Sequence, residues 1–163
     1  MEAVRLAQEA DQPIVAALLA QALRTARTMR GGPALVGSST SPDDLLERWT
    51  AVDAAGGPSG GDPAVIFLGE FHQAVVGLGA AQTFRRQEAA GAPSGRIECC
   101  WVEEEARGVG VGTALMEAMV SWCAAQGCAD LDALALPGDR STKQRLEAAG
   151  FTARLLTLNR RLD

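Results

Sequence analysis

Tyrosine is absent from this chain, histidine occurs once, at His72, and lysine once, at Lys143. A mechanism that needs a pair of histidines, or a serine activated by one, has almost nothing to build on, and His72 beside an expected strand junction reads as a surface turn residue. No run approaches the roughly 18 apolar residues that cross a bilayer, and Glu2, Arg5, Glu9 and Asp11 interrupt the apolar residues of the N-terminus. A soluble, unprocessed, cytoplasmic chain is expected. Positive charge is also scarce. With a net charge of -5 there is no concentrated basic face for a nucleic-acid backbone, and a neutral or cationic partner is easier to accommodate. The four cysteines, Cys99, Cys100, Cys123 and Cys128, form a vicinal pair and a C-x4-C, which is neither a zinc spacing nor a disulfide framework. Reduced, buried thiols and no metal site are expected.

What is present is enough for one domain over residues 1–163, since 47% of the chain is hydrophobic. Val4 to Ala7 reads as a strand. Asp11 and Pro13 then open a helix whose Ile14, Val15, Leu18, Leu19, Ala22 and Leu23 recur at helical spacing. Ser41, Pro42 and Asp44 supply an N-cap, a proline at N1 and an acid at N3 for a second helix through Leu45, Leu46, Trp49 and Val52. Gly, Pro, Ser and Ala dominate Ala54 to Pro63, which predicts a flexible loop. Ala64 to Phe71 and Gln73 to Phe84 read as a hairpin about His72, Arg85 to Gly95 as a polar loop, and Arg96 to Val102 as a strand.

Between Gly110 and Gln126 the residues Val111, Ala114, Leu115, Ala118, Met119 and Trp122 keep a helical period, and Gly127 supplies the stop. A strand at Asp130 to Leu136, a turn at Pro137 and Gly138, a helix at Asp139 to Ala149 and a last strand at Phe151 to Asn159 complete the pattern.

The segment joining the Arg96 strand to the strong helix carries the chemistry. Gly108, Gly110 and Gly112 alternate through it, after Arg107. Glycines let main-chain N–H groups approach an anion and accept positive φ, and the helix behind them offers unpaired donors and the positive end of its dipole. No lysine follows these glycines, so a Walker loop is excluded. A dinucleotide fingerprint from Gly108 or Gly110 would need glycine at Thr113 or Leu115, and the strand arrives too late in the chain to open a βαβ repeat.

Arg107, Gly110 and Gly112 spell R-x-x-G-x-G, which resembles the coenzyme A loop of the GNAT superfamily of N-acyltransferases. The order of elements matches over nearly the whole chain, and Leu146-Glu147-Ala148-Ala149-Gly150-Phe151 is similar to the family's Y-E-K-x-G-F segment. The resemblance implies a three-layer α/β/α fold around a mixed, largely antiparallel sheet, with acetyl-CoA as acyl donor and transfer to a primary amine by direct attack. It also implies that the amides of Val109, Gly110, Val111, Gly112 and Thr113, with Arg107 and Gly108, hold the pyrophosphate. Cys100, Trp101 and Val102 would pair with the pantetheine arm, in a slot where this strand splays from Asp130 to Leu136. Lys143 is a further candidate for a cofactor phosphate.

An alkylamine, with a pKa of roughly 10, must lose a proton before it attacks a thioester. Glu98 is the first candidate for that base, placed by two-residue alternation on the face of Cys100 and Val102. Glu103, Glu104 and Glu105 read as a solvated corner that could attract a cation. The family's tyrosine, which protonates the departing thiolate, is matched by Leu146, so Ser141, Thr142 or water would have to serve. Asp139 stands where many members have asparagine, which removes a donor. A cysteine nucleophile has no neighbouring histidine to activate it. The rival reading is a non-catalytic acyl-CoA sensor of the same fold. A homodimer through the edge of the last strand is a further expectation.

Overall fold

The structure is a computed structural model that describes residues 1–32, 63–85 and 91–155. The expected helix about Ser41 to Val52 lies outside these residues, as does the loop from Ala54 onward except for Pro63. The described elements are β1 (Glu2–Leu6), α1 (Gln12–Thr28), β2 (Ala64–Phe71), β3 (Ala74–Phe84), β4 (Ser94–Val102), α2 (Val111–Ala125), β5 (Asp130–Ala133) and α3 (Arg140–Ala148). The strands form one sheet in the order β1-β2-β3-β4-β5, antiparallel except for the parallel pair β4 and β5. A mixed, mostly antiparallel α/β fold is therefore the observed class.

Alternation along the strands sorts their side chains between two helical layers. Ile66, Leu68, Leu78 and Ala80 bury against Val15, Leu18 and Leu19 of α1 on one face. On the other, Val65, Ala81 and Ile97 meet Met116, Met119 and Cys123 of α2 with Leu146 of α3, while Val102 packs with Val111 and Leu115. Glycines under α2 bring it close to the sheet: a β-carbon at Gly69 would lie 2.5 Å from Val111 Cγ1. Leu115, fully buried at 0% exposure, is the kind of side chain whose truncation to alanine costs about 2–5 kcal/mol.

His72 and Gln73 turn the β2–β3 hairpin, both at positive φ (50° and 69°), the conformation that a two-residue turn between right-twisted strands requires. Several boundaries differ from the sequence expectation, and β1 spans Glu2–Leu6 instead of Val4 to Ala7. β4 begins at Ser94, where Gly95 leaves room for Leu131 of β5 and Cys123 of α2. β5 stops at Ala133; Leu134 is already exposed, and the chain turns at Pro137, which has no N–H to continue a ladder. Residues 151–155 form no strand, and the rest of the expected last strand lies outside the described residues.

Candidate active site

β4 changes its relation to both neighbours at Glu98. On one side its pairing with β3 slips: Ile97 faces Ala81 and Cys99 faces Ala80, so Glu98 is the extra residue of a β-bulge. On the other side, pairing with β5 runs from Ser94 opposite Asp130 to Ile97 opposite Ala133 and goes no further. From Glu98 to Val102 the strand has β3 along one edge and no described strand along the other. The Glu103 amide turns to Val76 of β3 at 2.9 Å, so by alternation Cys100 and Val102 present their main-chain groups to the open edge.

The bulge corrects the facing expected for Glu98. Ile97, Cys100 and Val102 pack on the α2 face, so the alternation is broken between Ile97 and Cys100. Glu98 instead accepts a short hydrogen bond from Nε2 of Gln82, which shares the α1 side of β3 with Leu78 and Ala80. One extra residue turned the carboxylate to the opposite face, which a period of two cannot anticipate.

Past Val102 the chain makes a short turn, Glu104–Ala106, anchored by buried Ala106, with Glu104 and Glu105 exposed. Arg107 folds back, its Nε donating to the Val102 carbonyl at 3.2 Å, which ties the loop to the end of β4. Gly108 and Gly110 then take φ of +85° and +92°, values costly for a side chain. Gly110 caps α2 with no side-chain hydrogen bond. The Thr113 and Ala114 amides both turn to the Gly110 carbonyl at 3.0 Å. None of the amides from Gly108 to Gly112 finds an acceptor among the described residues. A row of open donors at the positive end of a helix can hold an anion.

α3 contributes differently from what the sequence suggested. Lys143 is exposed and lies 3.7 Å from Glu147, one turn along its own helix. The basic residue of α3 that reaches the loop is Arg145, which the sequence reading missed. Its guanidinium donates to Cys100 Sγ at 3.4 Å and would lie 3.0 Å from a β-carbon on Gly112. The available signal was its place beside Leu146, the inward residue of α3, which carries Arg145 toward the sheet. Asp139 caps α3, accepting from the Thr142 amide at 3.0 Å and the Ser141 hydroxyl at 2.9 Å. Both Asp139 and Ser141 are thereby engaged within their own helix.

The thiols are poorly suited to attack. Burial pushes Cys99 up to about 12, with Cys100 and Glu98 adding to the shift, and burial also raises Cys100 against the opposing pull of Arg145.

The helix start with open amides, beside a sheet whose strands part after Ile97, sits in a fold that has known relatives. The family model described as Acetyltransferase (GNAT) family matches residues 26–151. The chain belongs to the GNAT acetyltransferase family. The GNAT chain is accordingly an N-acetyltransferase, and its reaction class is acyl transfer from acetyl-CoA. Its fold is shared with glucosamine-6-phosphate N-acetyltransferase from Arabidopsis thaliana, at 17% identity and a TM-score of 0.66, covering 100% of this chain and 99% of that one. A predicted acetyltransferase with acetyl-CoA from Clostridium acetobutylicum superposes at 15% identity and a TM-score of 0.71, covering 98% and 96%. An aminoglycoside acetyltransferase from an uncultured soil metagenomic sample, in complex with sisomicin, does so at 13% and 0.65, covering 99% and 97%. No curated protein matches the chain in sequence. Among the described residues, no helix is long and apolar enough to cross a membrane.

Proposed function

We propose that residues 1–163 act as one unit that binds acetyl-CoA at the Arg107–Thr113 loop and passes the acetyl group to a primary amine by direct attack. The observation that carries this reading is the row of open amides from Gly108 to Gly112 beside the parting of β4 from β5. Those amides and the outer nitrogens of Arg107 would hold the pyrophosphate. Nothing lies within 4 Å of a β-carbon position on Gly108, so the loop offers room for an anion. The main chain of Cys100 and the amide of Val102 would pair with the pantetheine arm; the Val102 carbonyl already accepts from Arg107.

Acetyl-CoA, when bound, supplies an activated carbonyl and a thiol leaving group with a pKa of about 8.5, judged from cysteine. Glu98 would take the proton from the attacking nitrogen, directly or through one water, while Gln82 fixes its carboxylate. Leu146 is buried in the α2 face and supplies no proton to the leaving sulfur. The Ser141 hydroxyl already donates to Asp139, which leaves water or Thr142 for that task. Two structural relatives are named for amine-bearing acceptors, glucosamine 6-phosphate and an aminoglycoside, and the net charge of -5 suits a cationic amine.

Calorimetry with acetyl-CoA, followed by thiol release over a panel of amines, tests the reading. Binding with amine-dependent release is expected. Glu98→Gln should lower kcat by about a hundredfold to ten-thousandfold and leave acetyl-CoA affinity intact. Binding without release from any amine would make the protein a sensor, and no binding would end the proposal.

A further inference from the structure

Arg145 is in an electrostatically awkward place. Its guanidinium sits against the first turn of α2, where the helix dipole is already positive, and close to the open amides of Gly108 to Gly112. A half-buried guanidinium ordinarily has a carboxylate partner. Among the described residues Arg145 has none; its one hydrogen bond runs to Cys100 Sγ, a weak acceptor, at 3.4 Å. That thiol itself donates to the Gly112 carbonyl at 3.7 Å, so Cys100, Gly112 and Arg145 form one contact between β4, α2 and α3. Asp139, at the start of α3, attracts Arg145 through space but gives its hydrogen bonds to Thr142 and Ser141. Glu147 faces Lys143. Positive ends thus converge from a helix terminus and a side chain; the Glu2 carboxyl lies beside Gly110, but among the described residues no carboxylate is hydrogen-bonded to either.

We infer that Arg145 is a second cationic arm of the anion cradle and bonds the pyrophosphate of the acyl donor, opposite Arg107. This rests on the reading of the loop as the acetyl-CoA site and assigns a residue to it from a different element. In this arrangement Arg107 is tied through Nε to Val102 at the sheet edge, whereas Arg145 approaches from α3 at Cys100 and Gly112. Its planar fork can bond two phosphate oxygens at once, which the exposed Lys143 on the same helix is not placed to do. Cys100 serves as the resting partner that Arg145 leaves when the phosphate arrives.

The test is calorimetry of the intact chain with coenzyme A and with 3′-dephospho-coenzyme A, which share the pyrophosphate and differ in one remote phosphate. Arg145→Met should weaken both ligands by about tenfold or more, and by the same factor, because one charge-assisted bidentate contact is lost from each. Arg145→Lys, which keeps the charge, should recover part of that loss; thermal melting of both variants separates this from misfolding. Equal affinity in wild type and Arg145→Met would overturn the inference while leaving the loop reading intact. A loss confined to coenzyme A would also overturn it, moving Arg145 to the remote phosphate. Equal losses in Arg145→Met and Arg145→Lys would reduce Arg145 to a packing residue. If the wild type binds neither ligand, the cofactor reading fails first and this inference with it.

Discussion

At the start of α3 the Asp139 carboxylate accepts the Thr142 amide at 3.0 Å and the Ser141 hydroxyl at 2.9 Å, and hydrogen bonding draws its pKa below the ordinary carboxylate value despite the opposing cost of burial. At the start of α2 the cap position is Gly110, with φ of +92°, no side-chain oxygen, and a run of amides with no acceptor among the described residues. Both helices face the same problem of unpaired N–H groups. α3 solves it internally and gains stability. α2 leaves it unsolved, next to two arginines and a parted sheet, an arrangement open to an anion. The difference teaches that a missing cap, combined with positive charge, points to an anion site more sharply than glycine alone.

Giving α2 the kind of cap that α3 has should erase the difference. Gly110→Asp places a carboxylate among the open amides and 3.6 Å or so from the Glu2 carboxyl, at a backbone angle aspartate tolerates at a cost of about 1–2 kcal/mol. Acetyl-CoA affinity should fall by about a hundredfold or more in calorimetry, with a melting temperature lowered by only a few degrees. Retained affinity would mean that the cradle is not the binding site. The reverse change, Asp139→Ala, should cost about 1 kcal/mol in denaturant unfolding and leave affinity unchanged, since that cap serves only its own helix.

A third helix start gives the smallest effect. Asp11 precedes α1 but turns its carboxylate to Arg5, at 2.6 Å and 2.9 Å, and to the Gln8 amide at 2.8 Å. Its hydrogen bonds, first that from Arg5, lower its pKa from 3.8 to about 2. A depressed carboxylate contributes stability that is complete above its unfolded value and is lost as pH falls through its folded value. Stability should therefore decline from about pH 4 to about pH 2 by under about 1 kcal/mol, because the pair is partly solvated. Asp11→Asn should flatten that part of the melting curve against pH.

Much of the fold was legible because it is local. The stripe through Val111, Leu115 and Met119 named α2, the apolar residues about Val15 and Leu18 named α1, and the polar break at His72 named the hairpin. These patterns follow from helical and strand periods that each segment carries by itself. The glycine loop was legible for the same reason, since Arg107, Gly108 and Gly110 need only their neighbours to form the turn.

The site was less so. Glu98 was named, but on the face of Cys100 and Val102, which is the wrong one, because the bulge belongs to the register between β4 and β3. Lys143 was named and Arg145 was not, because only the docking of α3 through Leu146 decides which basic residue of the helix meets Gly112.

By itself, then, the order of residues determined the described helices and the five paired strands, the glycine turn and the family resemblance, all set by spacing within short stretches of chain. The tertiary structure alone decided that β5 leaves β4 after Ile97, that Glu98 turns to Gln82, and that Arg145 closes on Cys100. Those depend on how distant segments register against one another, a packing outcome to which no local period has access.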